Sequence, residues 1–147
     1  MRALGLDLGA RRIGVAISDS DGKVATAIAT LERAKGRDRA ADHRAIVDLV
    51  AEWEAEVVAV GLPLSLDGSI GPAAEGVLAE VAQLAQVLGV PVETVDERFT
   101  TVTADQQLKE SGVRGRDRLK IIDQTAAAVL LQAWLDRRAS DHGRGSC

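Results

Sequence analysis

Asp7, Glu97 and Asp123 are carboxylates at places where a folding chain has little use for a charge. Asp7 belongs to RALGLDLG, where Leu4, Leu6 and Leu8 alternate with Gly5, Asp7 and Gly9, so it stands on the nearly bare face of a strand pattern. Glu97 follows VPVETV, residues 90 to 95, an apolar run suited to a buried strand, with only Asp96 between. Asp123 lies in KIIDQTAAAVLLQAWL, where helical spacing puts it on one face with Ala126, Ala127, Leu130 and Trp134. Burying an unpaired carboxylate costs on the order of several kcal/mol, so each position needs a cation, a set of donors or a proton. Three such acids drawn together would form a cluster of hard oxygen ligands, which suits Mg²⁺ or Mn²⁺. Two ions about 3.5 to 4 Å apart would stabilise both the attacking and the leaving oxygen of a phosphodiester displacement. A local reading stands beside each acid: an Asx-turn for Asp7, a helix cap for the neighbouring Asp96, and an ion pair with Arg98 or Lys120 for Asp123.

The elements that must position these acids follow from the hydrophobic pattern. RRIGVAIS repeats the device of the first strand, with Ile13, Val15 and Ile17 opposed to Gly14, Ala16 and Ser18. DSDG, residues 19 to 22, is a turn signal into a third strand around 23 to 31. From about Asp38 to Glu54, Ile46, Leu49, Val50 and Trp53 recur at helical intervals, and His43 is placed on the polar face. A buried strand at 56 to 63, the Gly- and Pro-rich loop PLSLDGSIGP, a helix from Ala74 to Leu88 stopped by Gly89, and the strand at 90 to 95 complete the regular part. A short helix at 100 to 111, a basic loop GVRGRDR and a long helix from Leu119 to about Arg138 follow. Its alanines would let this last helix approach the sheet closely, bringing Asp123 towards the strand ends of Asp7 and Glu97. The order predicts an α/β fold with a mixed five-stranded sheet flanked by helices. Residues 1 to 138 read as one domain and 139 to 147 as a polar, disordered tail.

The chain has 147 residues, 46% hydrophobic and 27% charged, the size and composition of one soluble domain. Two Trp, one Phe and no Tyr leave few platforms for stacking bases, so contact with nucleic acid must rest on charge and shape. No apolar run approaches the ~20 residues of a membrane span, and the N-terminus enters a strand pattern directly, which reads as cytoplasmic without membrane contact. The single Cys147 can close no disulfide within the chain, although an intermolecular one stays open. The net charge of -4 leaves local basic clusters to do any gripping of a polyanion. The clearest is RGRDRLK, residues 114 to 120, where Arg114, Arg116, Arg118 and Lys120 outnumber Asp117.

GLDLGARRIGVAIS, GLPLSLDGSIGP, VDERFTT and DQTAAAVLLQ, in this order and spacing, closely resemble the YqgF family, also called RuvX. Its members are described as Holliday junction resolvases and more often as pre-16S rRNA nucleases. The resemblance covers about residues 1 to 138 and implies a ribonuclease-H-like fold, a bacterial cytoplasmic protein and action at the 5′ end of small-subunit ribosomal RNA. The family's acidic positions fall on Asp7, Glu97 and Asp123, and its Arg, Gly and Thr positions on Arg12, Gly14, Arg98, Thr100 and Thr101. Its GLPL and DG elements fall on Gly61 to Leu64 and on Asp67 with Gly68, while Phe99 stands where Leu or Ile is more usual. Arg12 and Arg98 could clamp a phosphate or hold a neighbouring acid; Thr100 and Thr101 could touch substrate or cap a helix.

Three functions are open at this level. The first is a metal-dependent nuclease acting on ribosomal RNA precursor, with the small ribosomal subunit as a partner, or on branched DNA. The second is an actin-like phosphotransferase, whose first phosphate loop LDLGARRIGVAI also resembles, but which needs two such domains and a longer chain. The third is a non-catalytic RNA-binding assembly factor on a nuclease fold. Both a monomer and a homodimer are compatible with the sequence, the latter being required to cut two symmetric strands.

Overall fold

The computed structural model describes residues 1–98 and 126–139. Strands β1 (Ala3–Leu8), β2 (Arg12–Ser18) and β3 (Ala25–Glu32) come first, then α1 (Arg39–Glu52), β4 (Val57–Leu62), α2 (Pro72–Val87) and β5 (Val92–Asp96). A final helix, α3, is described over 126–139. The five strands make one sheet in the order β3-β2-β1-β4-β5. β1, β2 and β3 pair antiparallel, whereas β4 joins β1 and β5 joins β4 in parallel. The mixed five-stranded sheet expected from the element order is therefore present, with boundaries displaced by one or two residues at most elements.

Local chemistry sets the turns and caps. In the DSDG turn, Asp19 Oδ1 accepts from the backbone N–H of Lys23 at 2.7 Å and of Val24 at 3.1 Å, and Gly22 takes φ 69°. Asp38 caps α1 by accepting from Ala41 N–H at 3.0 Å. Pro72 opens α2, where its missing N–H costs no helical bond.

Each face of the sheet carries its own core. Leu4, Leu6, Ile13, Val15, Val58 and Val60 pack against Ile46 and Val50 of α1 and Val77 and Leu84 of α2. On the other face the strands offer smaller side chains, Ala3, Ala16, Val57, Ala59 and Val95, against Ala127, Leu131, Trp134 and Leu135 of α3. The bare face of β1 is thus the seat of α3. A Cβ on Gly5 would lie 2.8 Å from Leu131 Cβ and 3.1 Å from the Ala127 carbonyl oxygen. All four residues expected to share a face with Asp123 are buried: Ala126, Ala127, Leu130 and Trp134. Asp123 itself, the helix expected at 100 to 111, the basic loop and the tail from 140 lie outside the described residues. No helix among the described residues is long and apolar enough to cross a membrane.

Candidate active site

Alternation along β1 puts Asp7 on the face of Ala3 and Gly5, beneath α3, opposite Gly14 in the β1·β2 register. β5 ends at Asp96, and the Glu97 N–H adds one more bond towards β4 by donating to the Leu62 carbonyl at 3.1 Å. This bond carries Glu97 along the same edge of the sheet, and its side chain folds over Gly61 of β4. A Cβ at Gly61 would sit 2.7 Å from Glu97 Cδ and 2.8 Å from its Cγ, closer than real side chains pack, and closer still to Oε1. Glycine at 61 is therefore a condition for the carboxyl to lie where it does. There it hydrogen-bonds the carboxyl of Asp7.

Two half-buried carboxyls in contact cannot both ionise freely. Burial first, then the hydrogen bond to Asp7 and the charges of Asp7 and Asp96, push Glu97 up to about 8. Burial also raises Asp7, and the hydrogen bond with Glu97 offsets part of that. At neutral pH the pair holds a proton on Glu97 that it shares with Asp7. Such a pair is a ready site for a cation or for proton transfer, and a poor structural ornament.

Asp96 and Arg98 are occupied with each other. Arg98 donates from Nε and Nη2 to Asp96 Oδ2 at 2.8 and 2.6 Å, and its backbone N–H donates to Oδ1 at 2.9 Å. These hydrogen bonds first, and then the Arg98 charge, keep Asp96 below the usual carboxylate range. Arg98 also reaches the loop after β4, with Nη1 3.4 Å from the Leu66 carbonyl oxygen and against Gly68, which takes φ 87°. Asp67 stiffens that loop by accepting from Ser69 N–H at 2.9 Å and Ser69 Oγ–H at 2.6 Å. Arg12 opens β2 at the same end of the sheet as Asp7, opposite Glu32 of β3. Asp7, Glu97, Arg12 and Arg98 thus gather at one end of the sheet. Asp123, Thr100, Thr101, Arg114, Arg116, Arg118 and Lys120 lie outside the described residues. Among the described residues no group of three or more His, Cys, Asp or Glu is disposed to hold a metal ion.

One sequence expectation is corrected: His43 is not on the polar face of α1 but buried, with Nε2 2.9 Å from Glu80 Oε2. Asp42 and Glu80 are buried beside it. Arg33 ties the group together, meeting Glu80 through both terminal nitrogens at 2.6 and 2.9 Å and Asp42 at 3.1 Å. Its Nε–H donates to the Gly9 carbonyl at 3.0 Å, two residues beyond Asp7. Arg33 therefore anchors the turn after β1 to both helices of the other face. The signal was available: Asp42 precedes Ile46 and Val50 by four and eight residues, and Glu80 lies between Val77 and Leu84. Both acids fall on apolar helix faces by the spacing that singled out Asp123.

A mixed five-stranded sheet with α3 across its small-residue face and acids at one strand end defines a ribonuclease-H-like fold. Among solved structures, Thermus thermophilus RuvC in complex with a Holliday junction substrate superimposes with a TM-score of 0.58 at 16% identity, covering 95% of this chain and 98% of that one. Sequence carries the assignment further. The RuvX family model, described as Holliday junction resolvase, matches residues 1–137. A relative in Rhodococcus opacus (strain B4) is 46% identical over 146 residues, covering 98% of this chain and 82% of the relative. One in Anaeromyxobacter dehalogenans (strain 2CP-C) is 44% identical over 139 residues, covering 95% and 99%. Both relatives carry the name of a pre-16S rRNA nuclease. The chain belongs to the RuvX family of nucleases.

Proposed function

We propose that the chain is a divalent-metal-dependent endonuclease of the cytoplasm that hydrolyses phosphodiester bonds in maturing the 5′ end of pre-16S ribosomal RNA. The observation that carries this reading is the hydrogen-bonded Asp7–Glu97 pair, brought together from the first and last strands over a glycine. The pair fits a hard divalent cation: its donors are carboxylate oxygens, and burial leaves it protonated where a cation would compensate its charge. Asp7 and Glu97, joined by Asp123, would hold Mg²⁺ or Mn²⁺, two ions in the full site. When bound, the metal supplies Lewis-acid stabilisation of the charge that develops on the phosphate oxygens and makes water acidic enough to attack.

The chain's own residues do the rest. Asp7 and Glu97 exchange the proton they share for cation charge. Arg12, Arg98, Thr100 and Thr101 contact the strand near the scissile phosphate, and Arg114, Arg116, Arg118 and Lys120 grip the sugar-phosphate backbone further out. Residues 1 to 138 are the nuclease domain, residues 139 to 147 are its tail, and the small ribosomal subunit is the setting in which the RNA is met. The names of the relatives favour ribosomal RNA. The description of the family model favours branched DNA as the second reading, and symmetric cutting of a junction would require a homodimer. The test is cleavage of a defined pre-16S RNA fragment and of a four-way DNA by the purified protein, with Mn²⁺ or Mg²⁺ and with chelator, beside Asp7→Asn. Cleavage that survives Asp7→Asn at matched purity would remove Asp7 from the site, and no cleavage of either substrate by wild type would remove the enzyme reading.

A further inference from the structure

The β3–α1 connector, RAKGRDR at residues 33 to 39, is as rich in cations as the basic loop at 114 to 120, and the nuclease reading assigns it nothing. Its backbone is fixed rather than slack. Arg33 N–H donates to the Arg11 carbonyl at 2.8 Å, Arg33 Nε–H donates to the Gly9 carbonyl at 3.0 Å, and Ala34 N–H donates to Asp42 Oδ1 at 2.8 Å. A 3₁₀ turn at Lys35–Arg37 follows, with Gly36 at φ 72° and Arg37 at φ 57°, the left-handed region that an arginine rarely adopts. Backbone held in that region points to a constraint worth its cost.

Between this connector and the turn after β1 lies a cavity of about 200 Å³ lined by Ala10, Arg33, Ala34, Arg37, Arg39 and Asp42. The nearby acids are already engaged. Asp42 and Glu80 meet Arg33, with Arg39 at 3.8 and 3.7 Å, and Asp38 caps α1. Glu32 stands opposite Arg12. Ion pairs among the described residues engage Arg33 and Arg39 but not Arg11, Lys35 or Arg37, all three of which are exposed. Five cations, Arg11, Arg33, Lys35, Arg37 and Arg39, thus face four acids, Glu32, Asp38, Asp42 and Glu80, an excess of positive charge in a protein whose net charge is -4. A concave, positively charged wall with guanidinium groups suits a phosphate.

We propose that this cavity, walled by Arg37 and Arg39 and flanked by Arg11 and Lys35, binds a backbone phosphate of the nucleic-acid substrate at a distance from the scissile one. The proposal rests on the nuclease reading and adds a second point of grip to it. Arg33 sets the register between the two points, because the residue that shapes the cavity also holds the Gly9 carbonyl two residues from Asp7. A strand seated in the cavity is then fixed relative to the carboxylate pair.

The experiment is a salt titration of binding, in chelator so that nothing is cut, with a labelled pre-16S RNA fragment in one arm and a four-way DNA in the other. Wild type is compared with Lys35→Gln/Arg37→Gln and with Lys23→Gln, a control beyond the far end of β2. Two lost phosphate contacts should reduce the slope of log affinity against log salt by about 1.4 to 1.8, and Lys23→Gln should leave it unchanged. With metal present, the double variant should raise KM while keeping kcat within about twofold, since the chemistry is untouched. The arm in which the slope falls identifies the backbone the cavity accepts. If wild type binds with a steep slope and the folded double variant gives a parallel line in both arms, the cavity is not a phosphate site and the nuclease reading stands. If wild type binds neither substrate, the nuclease reading fails and the cavity proposal with it.

Discussion

The carboxylate pair should make the metal-free protein lose stability as pH rises through neutrality. Glu97 ordinarily titrates at 4.5 but in the folded protein is pushed up to about 8. Between those values the folded state keeps a proton that the unfolded state has given up, so unfolding releases one proton and the unfolded chain is favoured as pH climbs. The contribution is fully present below the unfolded value and is lost as pH passes through about 8. One proton sets a limiting slope of ~1.4 kcal/mol per pH unit, so roughly 3 kcal/mol at most separates pH 5 from pH 7. Glu97 is only half-buried, and solvent screening halves this to about 1 to 1.5 kcal/mol, or ~3 to 6 °C in Tm for a domain of this size. Asp7, also raised, adds in the same direction. The lowered carboxylates Asp96 and Glu80 act oppositely, but they weaken the fold only as pH falls towards and below the ordinary carboxylate range. The assay is urea unfolding in chelator at about pH 5, 6, 7 and 8, wild type beside Glu97→Gln, which keeps the shape and a donor for Asp7 but cannot ionise. The variant should be comparable at pH 5 and more stable than wild type at pH 8. Parallel curves for the two proteins would refute the shared proton.

Gly61→Ala should abolish most cleavage while costing little stability, because the new methyl meets the Glu97 side chain, which can swing away, rather than backbone; full activity in this variant would separate Glu97 from the chemistry. Ala127→Leu should destabilise by about 1 to 3 kcal/mol in urea, since overpacking a seat closed by Gly5, Ala3 and Ala59 forces α3 outward, and it should weaken Mn²⁺ binding measured by calorimetry if the last helix carries Asp123. Unchanged Mn²⁺ affinity in the folded variant would detach that helix from the site. Glu80→Ala leaves Arg33 and His43 buried without their main partner, so it should cost about 3 to 5 kcal/mol; a loss below about 1 kcal/mol would show that Arg33 is not held as described.

The readable part of the sequence was the part with short-range rules. Strand alternation placed Asp7 on the correct face of β1, and the small residues Gly5 and Ala16 of the first two strands marked the face that receives a helix, whereas Ala3, Ala59 and Gly61 join that face only in the folded sheet. Ala126, Ala127, Leu130 and Trp134 were legible as that helix's buried stripe. The contact between Asp7 and Glu97 was inferable only as a convergence of charges, because it depends on β5 joining the sheet beside β4, two strands from β1. No local pattern states that order. His43 was misread because periodicity was scored on apolar residues alone. A buried polar group follows the same spacing as a leucine but becomes visible only when its partners, here Glu80 and Arg33 from other elements, are known.

The two faces of the sheet divide the work. Branched and long apolar side chains fill the α1–α2 face, and that core is deep enough to include a fully compensated ionic cluster around Arg33. The α3 face is built from alanine and glycine, which bury less area per residue and contribute correspondingly less to stability. What the small residues provide is close approach: a helix seated near the strands, and a strand end where a carboxyl can lie over a glycine against a second carboxyl. Such a pair opposes folding while it lacks a compensating charge, so it can persist only on a sheet stabilised elsewhere. Arg33 is the mechanical link between the two halves, since its guanidinium is buried with the acids of α1 and α2 while its Nε–H fixes the carbonyl of Gly9. The well-packed face thereby holds in place the turn that follows Asp7, and the cost of burying two carboxyls against each other is offset by the apolar core on the opposite side of the same five strands.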